Sequence, residues 1–155
     1  MTNRMPSRRR WGVALAVGLC FASAAWAGLG ERAESVERDQ AKLRAATAKM
    51  TPMAHCDMHE ITTIQGATVR QYVSPQGQVF ATTWSGPAMP DLKVVLASHH
   101  AQYMTQAQAR RGNHHVMAFE TDGLVLRVVK LPRGIAGSAL VPALVPAGMD
   151  LQDIR

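Results

Sequence analysis

The stretch that decides the fold is residues 68–84, TVRQYVSPQGQVFATTW. Both ends of this stretch are rich in β-branched and aromatic residues, which favour strands. The residues between them place Pro75 second and Gly77 fourth in SPQG, a pattern typical of a type I turn. A similar run, residues 58–64, comes just before the stretch. We therefore predict an antiparallel meander of three strands, in whose third strand Phe80 and Trp84 share one face.

A helix and a second hairpin are predicted after this meander. Pro90 suits the first position of a helix and Asp91 suits its positive N-terminal end, and apolar residues at helical spacing continue to about residue 110. Further along, two apolar runs flank Asp122-Gly123, a dipeptide that favours a two-residue hairpin turn. The prediction is an α+β fold: an antiparallel sheet of about five strands, with one main helix, residues 91–110, packed across it.

The two ends of the remaining chain have different patterns. Residues 31–50 contain many alanines and charges but only a thin apolar stripe, which predicts a peripheral N-terminal helix. Residues 140–147 repeat LVPA, and two prolines four residues apart exclude a regular helix. We expect a 28–52 helical segment, followed by a small α+β domain, 53–155, with an extended, proline-containing C-terminal tail. That tail either lies against the sheet or is offered to a partner.

The first 27 residues have the organisation of a cleavable signal peptide. Arginines at positions 4 and 8–10 precede an uncharged, mostly apolar run at residues 11–25, which is shorter than a membrane span. Ala25-Trp26-Ala27 then gives the small-x-small cleavage pattern, which makes Gly28 the expected first residue of the product. We predict export to the periplasm or the extracellular space, and no transmembrane segment after cleavage.

The charge of the chain is mostly a property of this leader. Four of the 17 Lys and Arg residues lie in it, so thirteen remain against 11 Asp and Glu, a net charge of +2 instead of +6. Nucleic-acid binding requires a clustered basic face, and Arg110-Arg111 is the one basic doublet that remains. We therefore expect no nucleic-acid partner.

Several segments together resemble a known family. They are YVSPQGQVFA at 72–81, WSGP at 84–87, PDL at 90–92, SVERD at 35–39, HEI at 59–61 and LVPAG at 144–148. They resemble the domain-of-unknown-function family 2844, an uncharacterised family of secreted bacterial proteins. The resemblance implies export, one small domain and no established activity, and it supplies no catalytic residues. The chain departs from the family pattern at His55-Cys56 and at His99-His100.

The densest group of chemically active residues is MAHCDMH, residues 53–59. Thiolate, thioether and imidazole groups select Cu(I), and imidazole with thiolate also suits zinc. We take His55, Cys56 and His59 as candidate copper or zinc ligands. On a strand, however, His55 and His59 share one face while Cys56 points to the other. The alternative interpretation is a buried Cys56 with a partly exposed His59.

The sequence lacks the patterns of common enzyme classes. Ser85 is not framed as G-x-S-x-G, and no phosphate-binding or dinucleotide-binding glycine pattern is present. We therefore expect the protein to have no enzymatic activity and no cofactor. The predicted function is that of a non-catalytic envelope or secreted accessory protein. It would bind another envelope protein through a sheet edge or the C-terminal tail. The alternative is a periplasmic copper or zinc binder that uses His55, Cys56 and His59.

Overall fold

The computed structural model describes residues 28–109, 115–121 and 123–154, and within them one antiparallel sheet dominates. The sheet has seven strands in the order β1-β2-β3-β4-β7-β6-β5. The strands are β1 Ala45–Pro52, β2 Asp57–Thr63, β3 Thr68–Val73, β4 Val79–Gly86, β5 Val116–Thr121, β6 Leu124–Leu131 and β7 Gly134–Leu140. The predicted leader, 1–27, lies outside the described residues, as does Asp122 of the second predicted turn.

The helical elements are short. They are α1 Ser35–Lys42, α2 Leu92–Leu96 and α3 His100–Ala109, with single 3-10 turns at Ala97–His99, Pro142–Leu144 and Leu151–Asp153. No helix within the described residues has the length and apolar character needed to cross a membrane.

The predicted count of about five strands is wrong, because β1 and β7 are strands as well. The sequence of β7, GIAGSAL, has few of the β-branched and aromatic residues that mark a strand. β1 was expected to continue the N-terminal helix, which instead ends at Lys42. Arg44, with φ of 54°, then turns the chain, and the next residues pair with β2. In both strands, pairing with neighbours overrides local preference, and the fold remains α+β.

The main helix is interrupted where one continuous helix, 91–110, was predicted. Asp91 caps α2 by accepting a hydrogen bond from the Lys93 N–H at 2.9 Å. At the other end, the Val95 carbonyl accepts from the Leu29 N–H at 3.1 Å. In an unbroken α-helix that carbonyl would accept from residue 99. The N-terminal segment therefore competes for the helical hydrogen bond, and Ala97 takes a φ of 46°.

The main core lies between the helices and one face of the sheet. Val69, Trp84 and Leu126 from three strands pack there against the fully buried Leu29 and Val95. We call this side of the sheet the helix face. The other side, which carries Glu60, Arg70 and Thr83, we call the open face.

The C-terminal tail covers one end of the open face. Four of its apolar residues pack on a cluster around Tyr72 and Phe80; they are Leu144, Val145, Met149 and Ile154. Phe80 reaches this cluster because of a β-bulge: Tyr72 pairs with Ala81, but Val73 pairs with Val79. The prediction that Phe80 shares a face with Trp84 is therefore wrong, since the extra residue reverses the alternation.

Candidate functional site

A row of polar residues crosses the open face at right angles to the strands. Directly paired residues of neighbouring strands lie on the same face of a sheet. The pairing aligns Lys49 of β1, Glu60 of β2, Arg70 of β3, Thr83 of β4, Ser138 of β7 and Arg127 of β6. We call these six residues the polar row. Six strands that are not all sequential thus contribute one side chain each.

The central part of the polar row forms the floor of a groove of about 260 Å³. Its hydroxyl groups come from Thr83 and Ser138 of the row and from Thr68 and Ser85 beside it. Its apolar lining includes Val129, Ala136 and, from the C-terminal tail, Ile154.

Two arginines of the polar row flank this floor, and they differ in their surroundings. The Arg70 Nε donates to Glu60 Oε2 at 2.7 Å, and both side chains are about one-third exposed. Arg127 is exposed and forms no ion pair with any residue that the structure describes. Because β3 and β6 are three strand spacings apart, their Cα atoms are separated by about 14 Å. One guanidinium is therefore partly neutralised and the other is available.

This arrangement is suited to holding an anion. A guanidinium presents N–H donors in a planar fork that matches carboxylate and phosphate oxygens. Hydroxyl groups between two such forks add further donors, and the apolar wall accepts a non-polar part of the same ligand. The described lining contains no histidine, cysteine or carboxylate that would serve as a base or nucleophile. The described lining thus offers guanidinium and hydroxyl donors together with apolar surface.

The structure does not bring His55, Cys56 and His59 together. Cys56 is buried on the tail-covered side with Tyr72 and Phe80, and its Sγ lies 3.9 Å from Met53 Sδ. His59 pairs with Gln71 and so lies on the helix face. His55 is exposed in the loop before β2. Cys56 and His59 lie on opposite sides of the sheet, so these three residues do not form a common coordination sphere.

Electrostatics at these positions follow burial. Burial raises the pKa of the Cys56 thiol, and the nearby Asp57 and Asp153 carboxylates raise it further. Burial lowers the pKa of His59, although Asp57 opposes that effect. No group of three or more His, Cys, Asp or Glu side chains in the described parts of the chain is arranged to hold a metal ion.

The other predicted site residues belong to the leader cleavage. Ala25 and Ala27 fall outside the described residues. Gly28 is the first residue described; it has a φ of 122° and lies so close to the Val94 carbonyl that a side chain there would clash.

Sequence reasoning missed the polar row. A signal for two of its members was present: Arg70 and Arg127 each stand between apolar or buried positions in a predicted strand, which places them on the outer face. What the sequence did not show is that β7 lies between β4 and β6. Without that strand, neither Ser138 nor the distance between the two arginines is predictable.

Fold and site together define a small α+β protein with one antiparallel sheet and an arginine-flanked groove on its open face. The family model described as Protein of unknown function (DUF2844) matches residues 25–154, and the chain belongs to this family, as its sequence motifs predict. No curated protein and no solved structure matches the chain.

Proposed function

We propose that this DUF2844 protein is an exported, non-catalytic binding protein, and that the groove on the open face binds an acidic group of its partner. The observation that carries the proposal is Arg127, an exposed guanidinium without an ion-pair partner among the described residues, beside a floor of hydroxyl groups. An acidic group there would meet charge-assisted hydrogen bonds, which are stronger than neutral ones.

The packing of the C-terminal tail supports the choice of the groove as the binding surface, because apolar residues of the tail contact other parts of the same molecule. Leu144, Val145 and Met149 are half-buried and pack on the cluster of Tyr72 and Phe80, so part of their apolar surface is used within the molecule. The open face therefore remains as the candidate binding surface, and Ile154 of the tail contributes to the apolar lining of its groove.

The β1 edge of the sheet extends the same surface. Lys49 begins the polar row on this edge strand, most of whose side chains are exposed. A partner that reaches from the groove to this edge would pass the Arg70–Glu60 ion pair and meet a further cation, Lys49, at the far end of the row.

Export is supported by the organisation of residues 1–27. The experiment is expression of the full chain in a Gram-negative host, cell fractionation and intact-mass measurement. We expect a product that begins at Gly28 in the periplasm or medium. A product that keeps the leader and stays in the cytosol would contradict the proposal.

The binding site is tested by NMR titration of the purified exported product with two probes, citrate and inorganic phosphate, at fixed ionic strength. We expect saturable shifts at Thr83, Ser138 and the Arg127 side chain. The Arg127→Gln variant should bind about ten- to a hundredfold more weakly, because a hydrogen bond to a charged group contributes about 1.5–3 kcal/mol.

The matched control is Arg133→Gln, which removes the same charge from the exposed β6–β7 turn, outside the groove. Its affinity should equal that of the unmodified protein. Equal losses in both variants would show that net charge, and not the groove, attracts the anion. Shifts scattered over the whole surface would reject the site.

A further inference from the structure

A second polar group, separate from the groove, is buried on the helix face. Ser35 and Asp39 lie one helical turn apart on α1, so they share one side of that helix. Gln71 of β3 and Thr82 of β4 are a directly paired couple on the sheet beneath. At most 1% of each residue is exposed. A hydrogen bond of 2.6 Å from Gln71 Nε2 to Asp39 Oδ2 joins the helix to the sheet. We call these four residues the buried oxygen cluster.

Most of the oxygen atoms in this cluster have no partner. Asp39 Oδ1, Gln71 Oε1, Ser35 Oγ and Thr82 Oγ1 are all buried without a hydrogen bond. Buried polar side-chain atoms in folded proteins are paired in the large majority of cases. Four such oxygens occur here on residues that are neighbours along α1 or across β3 and β4, and one species bound among them would account for all four.

The chemistry of the four oxygen atoms restricts the kind of species that can bind among them. Each is an oxygen with a free lone pair, and one belongs to a carboxylate whose hydrogen bond comes from a neutral amide. The positive charges of Lys42 and Arg38 stabilise this ionised carboxylate, but the cost of burying it is larger. A bound cation is therefore favoured, because a buried charge is costly unless it is paired.

We propose that Ser35, Asp39, Gln71 and Thr82 bind a monovalent cation of the sodium or potassium type. One carboxylate balances one positive charge, and one amide oxygen and two hydroxyl oxygens supply neutral ligands. A divalent ion such as calcium would keep one uncompensated positive charge beside this single carboxylate, and calcium sites usually contain several carboxylates. The bound ion would fasten α1 to the centre of the sheet.

The test is thermal unfolding of the exported product, followed by circular dichroism at pH 8. Burial raises the pKa of Asp39 to about 6, so this carboxylate is ionised at that pH. Melting is compared in the chlorides of tetramethylammonium, sodium, potassium, magnesium and calcium at equal ionic strength. We expect sodium or potassium to raise the melting temperature by several degrees with saturation, because a ligand of the folded state stabilises it by mass action.

Two variants and one control assign the effect to the cluster. Asp39→Asn should abolish the ion-specific rise, and Thr82→Val, which keeps the shape, should shift the saturation to higher salt. Glu37→Gln removes the same charge from an exposed position on the same helix and should leave the rise unchanged. If Asp39→Asn does not fold, the Thr82→Val shift decides the question.

Identical melting in all five chlorides would overturn the proposal and indicate that buried water fills the cluster. A response to divalent ions alone, or an unchanged response in Thr82→Val, would overturn it as well.

Discussion

Replacing Gly137 by alanine should destabilise the protein through a clash with one side chain, Trp84. These residues are direct partners in β7 and β4. A Cβ added to Gly137 would lie 2.5 Å from Cε2 and 2.8 Å from Nε1 of the Trp84 indole, and closer still to Cζ2. Ordinary carbon contacts are about 3.5–4.0 Å, so the ring would have to move by about 1 Å or more. Trp84 is only 2% exposed, which leaves little room for that movement.

The magnitude follows from two opposing effects. Overpacking of a well-packed core costs about 1–3 kcal/mol, and contact with several ring atoms places this case at the upper end. Alanine loses less conformational entropy than glycine in a strand, which returns about 0.5–1 kcal/mol. We expect a net loss of about 2 kcal/mol in the free energy of unfolding.

The assay is urea unfolding of the product that begins at Gly28, as proposed above. Of the three tryptophans, Trp11 and Trp26 lie in the predicted leader, so the fluorescence of that product reports on Trp84 alone. The control is Gly123→Ala, because a Cβ at Gly123 meets no heavy atom within 4 Å. It should change stability by less than about 0.5 kcal/mol.

A double-mutant cycle identifies the cause. In a Trp84→Leu background the indole is absent, and Gly137→Ala should cost much less, measured by circular dichroism. An equal cost in both backgrounds would refute the clash, as would a Gly137→Ala protein as stable as the original.

Three further predictions concern the other side of the sheet. Burial raises the pKa of the Cys56 thiol, so little of it is thiolate at pH 8. Iodoacetamide should therefore label Cys56 far more slowly in the folded protein than in the urea-unfolded chain, as followed by mass spectrometry. Similar labelling rates would contradict a buried thiol. Phe80→Ala should cost about 3–5 kcal/mol in urea unfolding, because the ring is fully buried beside Tyr72; a loss below about 1 kcal/mol would contradict the burial of the ring. Glu60→Gln should cost less than about 1 kcal/mol, since its ion pair with Arg70 is one-third exposed; a larger loss would mean that the pair is shielded from solvent.

Local turn chemistry explains which strands were predictable. The SPQG turn, with Gly77 at a φ of 76°, separates β3 from β4 as predicted. Asp122-Gly123 falls between β5 and β6, whose terminal residues Thr121 and Leu124 are paired. In each case a few adjacent residues carry the signal; at Gly77 it is a positive φ, which glycine adopts freely.

Long-range contacts explain what was missed. β1 has the composition AATAKMTP, in which alanine and lysine favour a helix, and only its pairing with β2 makes it a strand. The break in the helix at Ala97 depends on Leu29, which lies 68 positions earlier in the chain. The Leu29 N–H donates a hydrogen bond to the Val95 carbonyl in place of a helical donor. Neither effect can be deduced from a window of neighbouring residues.

Part of the candidate site could also be predicted from local sequence. An arginine inside an apolar strand indicates the outer face, so Arg70 and Arg127 could each be assigned to a surface. Their membership in one site could not be assigned, because it depends on the strand order β3-β4-β7-β6. The metal hypothesis rested on proximity in sequence. The separation of Cys56 from His59 that strand alternation predicts is the one that the structure has, with the two residues on opposite sides of the sheet.

The strand that the sequence pattern concealed is also the one on which both faces of the sheet depend. Successive residues of a strand point to opposite faces, so in β7 Gly137 lies on the helix face and Ser138 lies on the open face. Gly137 is small because the Trp84 indole occupies its side-chain position. Ala136 and Ser138 line the groove, and small side chains there keep it open between the two arginines. The composition that made β7 unrecognisable as a strand thus follows from packing on one side and from the groove on the other.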